Sequence, residues 1–578
     1  MATMNGTATN GTGKLVKLPD DTVLIIGAGP VGLMTASVLA YYGVKSVILE
    51  RNKEPTKWPK MDLTNARSME LLGKIGLADG LRERGVPSNI PYTVLMSTGL
   101  SQDAAFTQWN HPSVDEYREQ IKAKNDGTQP LEPYQRVSQQ IFETWMRDLC
   151  QDNPLVDLQY GHKLDSINET EGGMEAKITT TNDEEFWTYQ ANYAVSCDGA
   201  SSKSRKSLDI GLEGGPMPGS FLLIHFESRD LENLHKQGRF WHLFLFNQGS
   251  FGGAVISQDE KSIFTVHYPL GPGTDEYSMS SEDAVYTVLG GAHGPFKIKI
   301  DKVLVRSTYR PSTAVAKSFS GPGLRVFLAG DAAHQNIPTG GYGMNTGIGD
   351  AFDIGWKLAA VVNGYGGQGL LKSYEQERQP VAAQIVERAA SHMSVHLTAV
   401  ELLGGDVLEV NKTSERGTQL KEALRDHYRN LDGENTDLGI EMGYRYVSQV
   451  CIPDGSEPEP KWEPHSYLPT TWPGSRAPHV FLNDGKSIFD RLGPDFSLVE
   501  FKDNAEQDIG SDLIAKAAKG LGVPVTRVTL TGEANAAKIW ERRLVLVRPD
   551  GHVAWRGDSV KDQREADRIL ETVVGRVA

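Results

Sequence analysis

The stretch Asp21–Arg51, DTVLIIGAGPVGLMTASVLAYYGVKSVILER, decides the fold. Val23 to Ile26 is a continuous apolar run, the pattern of a strand buried on both faces of a parallel sheet. Gly27, Gly29 and Gly32 follow at GxGxxG spacing. Val31 to Tyr42 then carries apolar residues at helical period, and Val44 to Leu49 is a second strand ending in Glu50. Gly27 permits a tight turn, Gly29 lets backbone approach a pyrophosphate, and Gly32 lets the helix pack on the strand with its N-terminus toward the anion. Glu50 stands where an acid accepts hydrogen bonds from an adenosine ribose, and a carboxylate there disfavours a 2′-phosphate. The glycines alone would suit an ordinary turn. With strand, helix, second strand and acid in order they specify a dinucleotide, leaving FAD and NAD open.

Two later segments have the same grammar. NYAVSCDGASSKSRKSL, Asn192–Leu208, is a short apolar run followed by Asp198, Gly199, Ser202 and Arg205. By itself it reads as a strand, a turn and a capped helix. In RVFLAGD, Gly330 and Asp331 end another strand-like run, and a carboxylate at such an edge can hold a sugar hydroxyl. Pro338 to Gly343 is an open, Gly-rich loop. From about Met344 a helix follows whose apolar face is Ile348, Ala351, Phe352, Ile354, Gly355, Leu358 and Ala359. A helix opening beside glycines offers free N–H groups and a positive dipole end to an anion. One cofactor touching cradles 300 residues apart must be long, which favours FAD with adenosine at the first and isoalloxazine at the second.

The bounds agree. A chain of 578 residues exceeds one core, and 39% apolar with 23% charged residues is a globular composition. A net charge of -15 disfavours nucleic acid or an anionic membrane, and no stretch reads as a membrane span or secretory leader. Cys150, Cys197 and Cys451 lie far apart without metal spacing, so no metal is expected and a reducing, cytoplasmic setting is. Residues 1–20 read as a disordered tail, within which Asn5-Gly-Thr matches a glycosylation pattern that has no leader to serve it.

GAGPVG, CDGASSKSR and AGDAAHQNIPTGGYGMNTGIGDAFDIGWKLAAV, followed by LLKSYEQERQPVA, resemble in this order the single-component flavoprotein aromatic hydroxylases, relatives of para-hydroxybenzoate hydroxylase and phenol hydroxylase. The resemblance runs from about Val23 to the C-terminus. The segment MDLTNARSMELLGKIGLADGLRERGVP, with ARSMELL at Ala66 to Leu72, is most similar to hydroxylases of polycyclic aromatic polyketides. PGSRAPHVFLNDGKSIFDRLG and RRLVLVRPDGHVAWRGD resemble the thioredoxin-like appendage of these enzymes, for packing or subunit contact as in a homodimer. That unit holds no cysteine, so thiol redox chemistry is excluded.

The resemblance implies an α/β fold: a Rossmann-like FAD-binding domain with an inserted β-sheet substrate domain, plus a C-terminal thioredoxin-like α/β domain. The expected division is 21–206 for the first part of the FAD-binding domain, with substrate-domain elements around 85–135. It continues with 207–320 for the substrate sheet, 321–400 for the second FAD part, 401–470 for a helical and Pro-rich connection, and 471–578 for the appendage. The implied reaction is NAD(P)H-dependent hydroxylation of a phenolic or polyketide-type aromatic ring with O2, through a C4a-hydroperoxide of non-covalent FAD. No dedicated nicotinamide fold is visible, in keeping with NADPH or NADH as a transient reductant. Baeyer–Villiger oxidation or oxidative dearomatisation on the same fold is the alternative outcome, and a non-catalytic flavin module a third. A flavin-dependent halogenase is disfavoured, since its Trp-x-Trp-x-Ile-Pro signature is missing from the sequence.

Residue by residue, the resemblance places Glu50 on the ribose with Arg51 beside it. It places Arg136 and Gln139 of QRVSQQIFE on the pyrophosphate or ribityl region, and Asp331 on that same part of FAD. Gly343, Met344 and Asn345 would serve the flavin pyrimidine edge, and Asp198 and Gly199 both FAD and pyridine nucleotide. Pro338 would set its carbonyl near the reacting carbon. A surface ion pair is the competing role for Arg136 and core filling for Met344. Asp62, five residues before Arg67, is the first catalytic candidate, set against a role in capping the helix that carries Arg67. Tyr309 is the second, on position. His334 is expected to be structural. Departures from the family pattern are Tyr342 for a usual Gln, IPTGG for a Pro-Pro pair, Asp353-Ile354 for Asn-Leu, and Pro59-Lys60 for Pro-Arg. Tyr342 is expected to alter the wall beside the flavin. RFWHLFLFNQGSFGGAVI and KSIFTVHYPL read as sheet strands roofing a flat apolar substrate.

Overall fold

The computed structural model describes residues 13–59, 62–181, 184–430, 434, 437–502 and 509–577. Residues 1–12, with Asn5, and Lys60 lie outside them. The all-buried strand Thr22–Ile26 is the middle of a five-stranded sheet. Its neighbours are Ala194–Ser196, then Val326–Leu328, on one side and Lys45–Glu50, then Val156–Tyr160, on the other, all parallel. Three motifs from distant parts of the chain therefore leave the carboxyl ends of three adjacent strands. That edge is where an open parallel sheet binds its ligand.

Behind it, the helix Pro30–Tyr41 packs against the glycine-rich helix Tyr342–Val362. The contact is close because glycine faces it. A Cβ at Gly347 would lie 2.5 Å from Val31, and one at Gly355 2.7 Å from Val38. The helix begins at Tyr342, two residues before the expected Met344, because Gly341 takes the left-handed conformation that starts the turn.

A seven-stranded sheet forms the second layer, in the order Lys302–Tyr309, Ser220–Glu227, Ile263–Leu270, Ser250–Ser257, His242–Asn247, Tyr92–Ser97, Thr107–His111. Alternation sorts its two faces. Leu243, Leu245, Val255, Val266 and Ile224 turn toward the helix Ser281–Gly290 in one core. Tyr92, Val94, Phe244, Phe246 and Ala254 turn the other way, into a second core shared with Leu403, Leu424 and Tyr428.

The C-terminal unit has the order Val525–Thr531, Phe496–Lys502, Leu544–Val547, Val553–Gly557, the first two parallel and the rest antiparallel. With helices Ser511–Leu521, Ala534–Trp540 and Gln563–Val573 this is a thioredoxin-like α/β domain. Buried ion pairs clamp it to the rest. Arg476 grips Glu70, and Arg548 donates to both Glu377 oxygens at 2.8 and 2.9 Å and to Asp550 at 2.6 Å. Lys357 completes the cluster, 2.6 Å from both Asp353 and Glu377. Asp353 is thus an interdomain charge, a role its place in the helix did not announce.

One expectation is corrected. Lys14–Lys17, inside the expected tail, is a strand paired in parallel with Phe186–Ala191. The open edge of a four-stranded sheet supplies backbone partners there, and Val16 packs on the core behind it. Four residues rich in lysine do not signal that in sequence.

Candidate functional site

At the carboxyl edge of the parallel sheet, two helix N-termini open without side-chain caps, at Gly29 and at Gly341. Their first-turn N–H groups have no intrahelical acceptor. A Cβ at Gly29 or at Gly343 would meet nothing within 4 Å, so both glycines border open space. Gly27 and Gly32 differ. A Cβ on Gly27 (φ +102°) would lie 2.5 Å from the Cys197 carbonyl, and one on Gly32 1.9 Å from the Gly27 carbonyl. Gly27 and Gly32 are therefore required by the fold, whereas no neighbour among the described residues requires glycine at position 29. Two uncapped helix ends and an open glycine fit a diphosphate and a polar ring edge, which is what FAD presents.

Around this edge, Glu50 accepts from the N–H groups of Ala28 and Asn52 at 2.9 and 2.8 Å, holding the first turn, while Arg51 is exposed. Asp198 accepts from the Ser204 N–H and hydroxyl through Oδ2, and its Oδ1 is buried without a hydrogen-bond partner among the described residues. Gly199 turns the chain at φ +78°. Asp331 is exposed just past the third strand. Met344 is half-buried. Pro338 is exposed, and its carbonyl accepts from Gly341 N–H at 3.0 Å, so one of its lone pairs closes the loop.

Four side chains of these motifs take partners within the protein. Arg136 is turned from the sheet edge into the substrate layer, where it pairs with Glu260, donates to the Ser257 carbonyl and lies over the Tyr92 and Trp241 rings. The pair is buried, not on the surface. Gln139 donates to Glu143. Asn345 uses its side chain rather than standing free, donating to the Leu63 carbonyl at 3.0 Å and accepting from Asn65 N–H at 2.9 Å. Tyr342 is buried beside Ile337, Val381 and Ile385, its hydroxyl 2.9 Å from His392 Nε2. Burial and the Asp437 carboxylate push its phenol pKa up, and the ring packs at the start of the helix. His334 is buried, its Nε2 2.7 Å from Asp350, which also takes Arg378. Burial opposes ionisation of Asp350, but Arg378 and His334 bring its pKa down to about 2.

The polar heart lies between the two sheets. Asn345 ties the flavin-side helix to residues 63 and 65, which sets Asp62 one residue from that anchor. Capping of the helix Ala66–Lys74 is done by Asn65, through Ser68 N–H, leaving Asp62 for another task. Its Oδ2 accepts from Trp241 Nε1 at 2.5 Å and from His242 Nε2 at 2.9 Å. Burial raises the Asp62 pKa, but His242, the Trp241 bond and Arg136 outweigh it and hold the carboxyl below its usual value.

Across the same sheet face, His267 Nδ1 is 3.0 Å from the Tyr309 hydroxyl, and Tyr309 stacks on Phe221 at 5.6 Å. Register confirms the shared face: His242 opposes Ile256, Ala254 opposes His267, and Phe221 opposes Tyr309. Burial, with His242 nearby, pushes His267 down to about 4, and burial raises the Tyr309 phenol. His242, His267 and Trp241 escaped the sequence reading. The one signal was alternation in WHLFLF, which puts His242, Phe244 and Phe246 on one face; the partner Asp62, 180 residues away, leaves no local trace.

Comparison with known proteins adds the family. The FAD binding domain model matches residues 20–389, and the model for the C-terminal region of aromatic-ring hydroxylases matches 470–577. The FAD-dependent monooxygenase apdD of Emericella nidulans is 49% identical over 96% of this chain and 90% of its own. Tetracenomycin B2 monooxygenase-dioxygenase of Streptomyces olivaceus is 29% identical over 96% of this chain and 98% of its own. Among solved structures, the flavin-dependent monooxygenase PieE in complex with FAD and substrate superposes with TM-score 0.86 at 26% identity, covering 97% of this chain and 99% of PieE.

Proposed function

The chain belongs to the FAD-dependent monooxygenases with an aromatic-ring hydroxylase C-terminal domain, and from that premise we propose that it hydroxylates a phenolic or polyketide-type aromatic ring with NAD(P)H and O2. The observation that carries this reading is the placement of Asp62. A partly buried carboxylate stands one residue from the anchor of the helix end that faces the cofactor edge, beside the Trp241 ring of the substrate sheet.

When bound, FAD would relay the reducing equivalents of NAD(P)H and supply the activation of O2. The chain's part is position, dryness and charge. Gly29, Gly343 and the two uncapped helix ends would hold the cofactor, with Asp331 and Glu50 at the sugar and Asp198 and Gly199 beside them. Phe221, Phe244 and Ala254 exclude water from the ring. Asp62, through the groups it holds, and Tyr309 serve the substrate hydroxyl, whose ionisation makes the ring carbon more nucleophilic. The Pro338 carbonyl borders the reacting edge. NAD(P)H acts as a transient reductant in the reducing cytoplasm, where Cys150, Cys197 and Cys451 stay free thiols. No helix among the described residues is long and apolar enough to cross a membrane.

Purified protein should be yellow, and a phenolic or polyketide panel should contain members that accelerate NADPH oxidation and emerge one oxygen atom heavier. Asp62→Ala should keep FAD and lose most of that stimulation. A protein that takes up no FAD, or products without added oxygen, would refute the assignment.

A further inference from the structure

His242 is the unassigned group nearest the substrate face, and its geometry is informative. A carboxylate accepts hydrogen bonds and donates none, so the 2.9 Å contact between Asp62 Oδ2 and His242 Nε2 requires the proton on Nε2. In the neutral ring this leaves a lone pair on Nδ1. That nitrogen is buried and has no hydrogen-bond partner among the described residues. Asp62 Oδ2 meanwhile takes a second donor, Trp241 Nε1, at 2.5 Å. A carboxylate oxygen facing two fixed donors is a poor site for a further proton, whereas a carboxylate behind an imidazole orients the ring and balances the cation it becomes.

We propose that His242 Nδ1, rather than Asp62, takes the hydroxyl proton of the substrate, with Asp62 as its positioning residue, and that the site therefore selects uncharged phenols or enols over aromatic carboxylates. This rests on the hydroxylase reading above. In the step, the substrate O–H bond breaks, an Nδ1–H bond forms, and the electron pair stays on oxygen. The products are a phenolate and an imidazolium held by Asp62.

Charge selection follows from the surroundings. The groups facing this dyad are Arg136 and Tyr92 beside Asp62, and His111, His267 and Glu434 around His242. Arg136 is the cation among them; Glu260 neutralises it and, with the Ser257 carbonyl, takes its two terminal nitrogens, leaving its Nε–H without a hydrogen-bond partner among the described residues. Burial keeps His111 and His267 near 4, so both are neutral at pH 7. A carboxylate ligand would thus add a second negative charge beside Asp62, while the cation next to it is already paired with Glu260. A phenol enters neutral and becomes anionic only as the imidazolium forms.

The test uses the FAD-loaded full chain with 4-nitrophenol, whose phenolate absorbs visible light, and 4-nitrobenzoate as the charged comparison. On the wild type the bound phenol should ionise at least about one pH unit below the free phenol, a tenfold preference for the phenolate. The benzoate should bind at least about tenfold more weakly. His242→Gln keeps a donor near the Nε2 position but cannot take a proton, so it should return the ionisation midpoint to that of free phenol with FAD content unchanged. His242→Asn provides the same reading if the Gln variant loses FAD. A midpoint that stays lowered without His242 overturns the proposal, as does a wild type that fails to bind 4-nitrophenol or binds 4-nitrobenzoate equally well. FAD uptake and phenol-stimulated NADPH oxidation report on the hydroxylase reading separately, so either can fail alone.

Discussion

The three glycines of the first cradle should separate by experiment into those the fold requires and the one the cofactor requires. In Gly29→Ala the new Cβ meets nothing within 4 Å, and φ at this position is -74°, open to any L residue. Losing Gly at a helix N-cap for Ala costs at most about 1 kcal/mol. The apo variant should therefore unfold within about 1 kcal/mol of the wild type. The added methyl instead occupies the space a diphosphate needs for close approach to backbone. If the misfit costs what overpacking of a filled site does, about 1–3 kcal/mol, FAD affinity falls about 5- to 150-fold. In Gly32→Ala the Cβ would lie 1.9 Å from the Gly27 carbonyl, a backbone clash no rotamer relieves, so the apo protein itself should lose about 1–3 kcal/mol. Denaturant titration of apoprotein with fluorimetric FAD titration measures both quantities. Gly29→Ala with wild-type FAD affinity, or with an apo stability loss matching that of Gly32→Ala, would refute the reasoning.

Three further outcomes are expected. Arg548→Met leaves Glu377 and Asp353 with Lys357 and Asp550 with His552 in a buried site, which should cost about 3–5 kcal/mol in chemical denaturation followed by C-terminal-domain signals; a loss under 1 kcal/mol would mean the interdomain clamp is incidental. Glu441 is raised from 4.5 to about 8 by burial and by Asp437, so the folded state holds its proton more tightly than the unfolded one. Its contribution is full below pH 4.5 and fades as pH rises through 8; Glu441→Gln should remove that decline, and parallel stability–pH curves for the two proteins would contradict it. Asp331→Ala should purify colourless yet keep the wild-type circular dichroism spectrum, and a yellow variant would exclude Asp331 from the cofactor site.

Much of this protein is legible along the chain because parallel sheets and helix starts are local events. Thr22–Ile26, the glycine turn, the helix and Glu50 occupy about 30 consecutive residues, and backbone sterics plus burial on two faces leave little choice of structure. The short apolar runs ending at Ser196 and Leu328 marked two further strands of the same sheet for the same reason. Periodicity could not tell which way side chains on such elements point once the layers close. Arg136 and Asn345 are polar residues in cofactor motifs, yet Glu260 and the 63–65 segment claim them, since a buried cation or amide must pair with whatever donor or acceptor folding brings near. The strand at Lys14–Lys17 likewise exists because an edge elsewhere needed backbone partners. The sequence by itself determined an FAD-binding α/β fold and the appended domain, written in local pattern and ordered motifs. Only the tertiary structure decided that Asp62 meets His242 across 180 residues and that His267 meets Tyr309 on the same sheet face. Those pairs depend on register and on which face of a sheet is buried, and neither is encoded within any one segment.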